Sequence, residues 1–268
     1  MSFVELNMYL LPAVKPAIED LWRGLAKAFR AEGLDNVPNA LSWEGPSEAR
    51  WCDSELFLAQ TCGYPLTHAL AGRVELLAVP CYSALELPPT QYCSLVLVAE
   101  DSPAATLEDL RRSRVAYNSD ESQSGFSTLR HLIAPLSEGG RFFQTAIKSG
   151  SHLRSIEMVA AGEADCCAVD GVTYHLAARH APEKTKGVRV LARTADAPNL
   201  PYITASGRSV EELTRMRVAL TKAMEDPATA GARDALFLTG VEFLPLQTYD
   251  RILEMEREAL DLGYCHLD

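Results

Sequence analysis

The chain has 268 residues, with 25 lysines and arginines against 36 aspartates and glutamates, a formal net charge of −11 and 47% hydrophobic residues. That length provides for one large domain or two lobes with a substantial core. The acidic balance, without a long basic run, excludes a protein that holds nucleic acid by neutralising its backbone. A small anion in one local site is not excluded, because net charge governs steering and solubility rather than the chemistry of a single pocket.

The opening residues carry Glu5 and no cationic segment, and Pro12 and Lys15 arrive before any apolar run of signal-peptide length. As written, the chain reads as unexported. No stretch approaches the roughly 18–20 apolar residues of a membrane-spanning helix. The seven cysteines are an odd number in a chain too large for a disulfide scaffold, which points to reduced thiols. The adjacent Cys166 and Cys167 lie in an apolar run and read as core filling.

From Val14, the residues Ile18, Leu21, Trp22, Leu25 and Phe29 recur at three- and four-residue steps, which predicts an amphipathic helix ending near Gly33, with Pro16 in its first turn. Continuous apolar runs at 56–59, 74–79, 95–98, 114–117, 166–169 and 188–191 predict buried strands. Helical periodicity predicts helices at 125–133, 153–161, 172–179, 210–224 and 249–262. This alternation is that of an α/β protein. The segments at 95–101 and 188–194 read as strand-like hinges between two lobes, a discontinuous first lobe of 1–97 plus 192–268 and a second of 98–191. A cleft between such lobes is a favoured place for a ligand.

Three strand-to-helix junctions carry polar residues suited to an anion. After the strand ending at Tyr117 comes Asn118-Ser119-Asp120-Glu121-Ser122-Gln123-Ser124-Gly125-Phe126. Ser122, Ser124 and the Gly125 backbone stand there at a helix N-terminus, where free N–H groups and the helix dipole favour negative charge. The simpler reading of Ser124 is a helix cap. A second turn, Lys148-Ser149-Gly150-Ser151-His152, has the same form, and His152 is placed to donate to an oxyanion. At the third junction Asp170 ends a buried strand, either as a pocket residue or as the N-cap of the next helix.

Taken in order, Gln60-Thr61-Cys62-Gly63-Tyr64-Pro65-Leu66, Tyr92-Cys93-Ser94, Ser122-Gln123-Ser124-Gly125, Ser149-Gly150-Ser151-His152 and 162–165 through Asp170 resemble the phosphate/phosphonate substrate-binding proteins of ABC transporters. The resemblance runs from Met8-Tyr9 to Pro198-Asn199-Leu200-Pro201. It implies the two-lobe type II periplasmic-binding-protein fold, with a ligand cleft between lobes. It also implies a phosphonate or phosphate-like ligand held by Ser122, Ser124, Gly125, Ser149, Ser151 and His152. Tyr9, Tyr64 and Tyr92 correspond to aromatic contacts, Tyr64 and Tyr92 from the opposite lobe, and Asp170 to a polar contact at the far end of the ligand. The implied partners are a small anion and an ABC permease; the acidic surface and two-lobe design point to a monomer. Transporter members are normally exported, whereas this sequence shows no leader, and Gln123 stands where several members have a hydroxyl residue.

Two other functions follow from the same residues. One is a cytoplasmic anion sensor of this fold. The other is an enzyme with Cys62 as nucleophile and His68 or His152 as base. No Gly-x-Ser-x-Gly, phosphate-loop, Cys-x-x-Cys or His-x-x-x-His motif occurs, so neither metal nor nucleotide cofactor is expected.

Overall fold

A computed structural model of the chain describes residues 2–45 and 47–267. In chain order its strands and helices are β1 (Phe3–Glu5), α1 (Lys15–Ala31), α2 (Glu48–Trp51), β2 (Leu56–Gln60), α3 (Gly63–Thr67), β3 (Val74–Tyr82), β4 (Gln91–Tyr92), β5 (Ser94–Ala99) and β6 (Arg114–Tyr117). They continue with α4 (Thr128–Ile133), β7 (Thr145–Lys148), α5 (His152–Ala160), β8 (Cys166–Asp170), α6 (Gly171–His180), β9 (Val188–Arg193) and β10 (Ala197–Pro198). The last are β11 (Tyr202–Ala205), α7 (Val210–Glu225), α8 (Ala230–Ala235), β12 (Leu238–Glu242) and α9 (Asp250–Asp261). A π-helical turn, Gln123–Ser127, leads directly into α4.

The chain forms two compact units, Met1–Gln91 with Pro198–Thr248 and Tyr92–Ala197 with Tyr249–Asp268. The first contains a five-stranded sheet ordered β1-β2-β11-β3-β12. β2 is buried throughout because Leu56, Phe57, Leu58 and Ala59 have no polar side to turn outward, and Gln60 satisfies its amide by donating to Tyr82 Oη and the Leu200 carbonyl, both at 3.0 Å. Helix α1 lays the predicted stripe against this sheet: Trp22 and Phe29 meet Phe57, the Phe29 and Phe57 rings at 5.1 Å and 82°. Each such side chain contributes about 1.5–3 kcal/mol by its burial.

The second unit holds a sheet ordered β7-β6-β8-β5-β9. β6 pairs parallel with both β7 and β8, so the carboxyl ends of these three strands lie along one edge. β5 runs antiparallel between β8 and β9. Its Leu95, Val96, Leu97 and Val98 are almost wholly buried, and the segments expected as hinges, 95–101 and 188–194, instead supply β5 and the edge strand β9 of this sheet. The chain passes between units instead at 91/92, 197/198 and 248/249. The third passage differs from the expected division: α9 packs on α4 and the π-helical turn, and Ala259, Tyr264 and Leu267 join the core formed by Val96, Val98, Val115, Leu129 and Ile133. Amphipathic periodicity shows that α9 buries one face but not which surface receives it.

Candidate functional site

The polar junctions predicted at 118–126, 148–152 and 170 follow β6, β7 and β8, the three parallel strands, and so fall on the same edge of the second unit's sheet. In open α/β sheets this carboxyl edge is where ligands bind.

After β6, Ser122 takes an extended conformation and its hydroxyl oxygen accepts from the Gly125 N–H at 2.9 Å. Its carbonyl accepts from the N–H groups of Phe126 (3.3 Å) and Ser127 (3.0 Å), and this wider spacing gives the π-helical turn. The cap is thus Ser122 rather than Ser124. Capping uses a lone pair of the Ser122 hydroxyl and leaves its proton for the Ser124 hydroxyl, 3.4 Å away, or for a ligand. Gly125 is required sterically: a Cβ there would stand 1.9 Å from Asn118 Oδ1 and 3.3 Å from His152 Cε1.

Ser124 is 3% exposed, and its Oγ lies 2.8 Å from His152 Nε2, although the two residues are 28 positions apart. Its carbonyl accepts from Thr128 Oγ1, which also bonds to Ser94 Oγ at 3.2 Å. The His152 residue keeps some exposed surface, but its Nδ1 is sealed from solvent. Burial therefore pushes the His152 pKa down to about 4, against the opposing pull of the Ala168 carbonyl. His152 is thus neutral at physiological pH.

The turn after β7 is more exposed. Ser151 caps α5 by accepting from Arg154 N at 3.2 Å, which again leaves its hydroxyl proton. Ser149 differs, because its hydroxyl is engaged with the Tyr117 and Ser151 carbonyls at 3.0 Å and with Ser155 Oγ at 2.7 Å. At the end of β8, Asp170 is buried and its Oδ1 caps α6 through Thr173 N at 2.9 Å. Gln123 is fully buried and turns away from the edge, its Nε2 reaching Met255 Sδ of α9 at 3.5 Å.

The tyrosines are divided between units. Tyr9 and Tyr64 belong to the first, where Tyr9 meets Tyr82 edge-on at 5.4 Å and Tyr64 stacks on His68 at 3.9 Å. Tyr92 is buried and falls in the second unit, with the serine turns rather than opposite them. Sequence reasoning passed over Asn118, whose Oδ1 is buried without a hydrogen-bond partner beside Gly125, and Thr128. The signal for Asn118 was its place directly after a strand end.

Residues 54–249, well over half of the chain, match the family described as ABC transporter, phosphonate, periplasmic substrate-binding protein. The chain belongs to that family. Among solved structures it is similar to PhnD1 of Prochlorococcus marinus in complex with methylphosphonate, at 13% identity and TM-score 0.78, covering 98% of both chains. A binding-protein component of an ABC phosphonate transporter from Pseudomonas aeruginosa shows 15% identity and TM-score 0.75, with 98% of this chain and 87% of that one covered. A Xanthomonas citri protein bound to ATP shows 18% identity and TM-score 0.72, covering 100% of this chain and 99% of that one. At these identities the likeness establishes the fold, that of the periplasmic binding proteins. No curated protein sequence matches.

The family is a non-enzymatic component of transport. The geometry around the suggested bases agrees with that. His68 Nδ1 is held within its own turn by the Tyr64 carbonyl and Thr67 Oγ1, each at 2.9 Å, and His152 is too weak a base to activate a thiol near neutral pH. Burial pushes the thiols of Cys81 to about 11 and Cys166 to about 12, away from the reactive thiolate. Among the described residues, no group of three His, Cys, Asp or Glu side chains could hold a metal ion, and no helix is long and apolar enough to cross a membrane.

Proposed function

We propose that the carboxyl edge of the second unit's sheet binds a small phosphorus oxyanion, phosphonate or phosphate, and that the protein serves as the substrate-binding component of an ABC-type uptake system with a permease as its partner. One observation carries this reading: the parallel strands β6 and β7 deliver two serine-capped helix starts to one edge, with the Ser124–His152 pair beside them. The hydroxyl protons of Ser122 and Ser151 and the N–H groups at the helix starts are neutral donors aimed where negative charge is favoured. The nearest lysine of the edge, Lys148, is paired with Asp120 at 2.7 Å. Selectivity in a chain of net charge −11 therefore rests on short-range hydrogen bonds rather than long-range attraction.

Isothermal titration of protein freed of carried-over ligand, against phosphate, methylphosphonate and 2-aminoethylphosphonate, tests the reading. Binding of at least one of them, weakened in Ser124→Ala and His152→Ala, is expected. Heat of binding from none of the three removes the assignment.

A further inference from the structure

The hydrogen bond between Ser124 and His152 has a direction, and the direction decides what kind of ligand atom Ser124 can receive. A neutral imidazole carries one proton, on Nε2 or on Nδ1. Nδ1 is sealed from solvent and has no well-formed partner, while the Ala168 carbonyl is the backbone group that acts on the ring. A nitrogen lone pair enclosed against a carbonyl oxygen is repelled, whereas an N–H in that place is attracted. The proton therefore belongs on Nδ1, Nε2 presents a lone pair, and the Ser124 O–H points at Nε2 across their 2.8 Å contact. With its proton so directed, Ser124 Oγ offers two lone pairs, one towards the Ser122 hydroxyl at 3.4 Å and the other to a ligand.

The charged groups on the elements packed against α5 do not disturb this arrangement. Arg114 pairs with Asp165, Lys148 with Asp120, Arg154 with Glu163 and Lys184 with Glu157. Arg189 donates to the Ser102 carbonyl. Arg193 acts on the Cys93 thiol and the His175 ring, and Asp196 and Asp170 on the Cys93 thiol.

Resting on the proposed anion site, we infer that Ser124 Oγ is an acceptor and that the site selects a tetrahedral anion still carrying one acid hydroxyl, which donates to Ser124 while Ser122 and Ser151 donate to the bare oxygens. A fully deprotonated anion, or one with no acid proton, sets its oxygen against the Ser124 lone pairs. It is accommodated only if His152 moves its proton to Nε2 and leaves a lone pair facing Ala168.

Methylphosphonate and methanesulfonate separate the alternatives, since below the second ionisation of the phosphonate both are monoanions of similar shape and only the phosphonate has an acid hydroxyl. At such a pH the phosphonate is expected to bind at least about tenfold more tightly, the equivalent of one good hydrogen bond, and Ser124→Ala to bring the ratio towards one. Nitrogen-15 NMR of His152 in the unmodified protein is expected to show the Nδ1–H tautomer, free and loaded. Equal affinity for the two anions, both weakened alike by Ser124→Ala, overturns the acceptor role and leaves the anion site standing. So does an Nε2–H tautomer or an imidazolium in the loaded protein. Binding of neither anion, nor of phosphate, removes the anion site itself.

Discussion

The turn after β6 and the turn after β7 start from the same ingredients, two serines and a glycine before a helix, and use them differently. In the first, Ser122 caps, Ser124 is buried against His152, and Gly125 makes room for Asn118. In the second, Ser151 caps at the surface and Ser149 is tied into Tyr117, Ser151 and Ser155. A capping hydroxyl keeps its proton for a ligand, and one tied to carbonyls does not. A serine-glycine turn is therefore not in itself an anion site; the destination of each hydroxyl proton decides what it can do.

Substitutions can break this contrast. The largest effect is expected of Gly125→Ala, whose methyl group collides with Asn118 and crowds His152. Overpacking of this kind costs about 1–3 kcal/mol, and methylphosphonate binding should be lost. Gly150, with φ +90° and open space around the missing Cβ, is constrained by its backbone alone, so Gly150→Asn should retain binding; urea melts and titrations of the two variants compare them.

Acid comes next. The His152 pKa is about 4 in the folded chain against 6.5 for an ordinary histidine, so the unfolded chain takes up the proton first as the pH falls. The stabilisation from keeping this ring neutral is complete above about pH 6.5 and is lost as the pH drops through about 4, at most about 3 kcal/mol. Urea denaturation across that window should show the loss in the wild type and a shallower dependence in His152→Gln.

Ser124→Ala should weaken methylphosphonate about tenfold and, by leaving Nε2 unpaired, destabilise by about 1 kcal/mol. The smallest effect is reserved for the exposed cap. Ser151→Ala should lose about 1 kcal/mol of stability and a few-fold in affinity, and Ser151→Asp should recover the stability, since aspartate caps as well, but not the affinity, since it adds negative charge and no donor. If Ser151→Asp still bound methylphosphonate normally, Ser151 would be a cap alone.

How much of this could be read from the sequence follows from what each residue depends on. The apolar runs at 56–59, 95–98 and 166–169 form strands because their side chains, Val96, Leu97, Cys166 and Cys167 among them, are buried on both faces and demand no partner choice. β11 escaped notice because Thr204 interrupts its apolar character, and the fold resolves that by having Thr204 Oγ1 donate to the Phe57 carbonyl at 2.8 Å. β12 escaped through Gly240, which weakens any strand pattern. The three junctions were legible as strand ends meeting polar turns. The seating of the π-helical turn against α9 and the pairing of Ser124 with His152 were not, since both depend on contacts with residues remote in the chain.

The third passage of the chain between units bears on how the molecule is made. Residues 92–197 leave the ribosome long before 249–268, yet the core they build includes Ala259, Tyr264 and Leu267. The second unit, which carries both serine turns, therefore stays open during synthesis until that last segment emerges, while the first unit has all of its strands once residue 248 is out. The region that emerges in the middle of translation is the last to close its core.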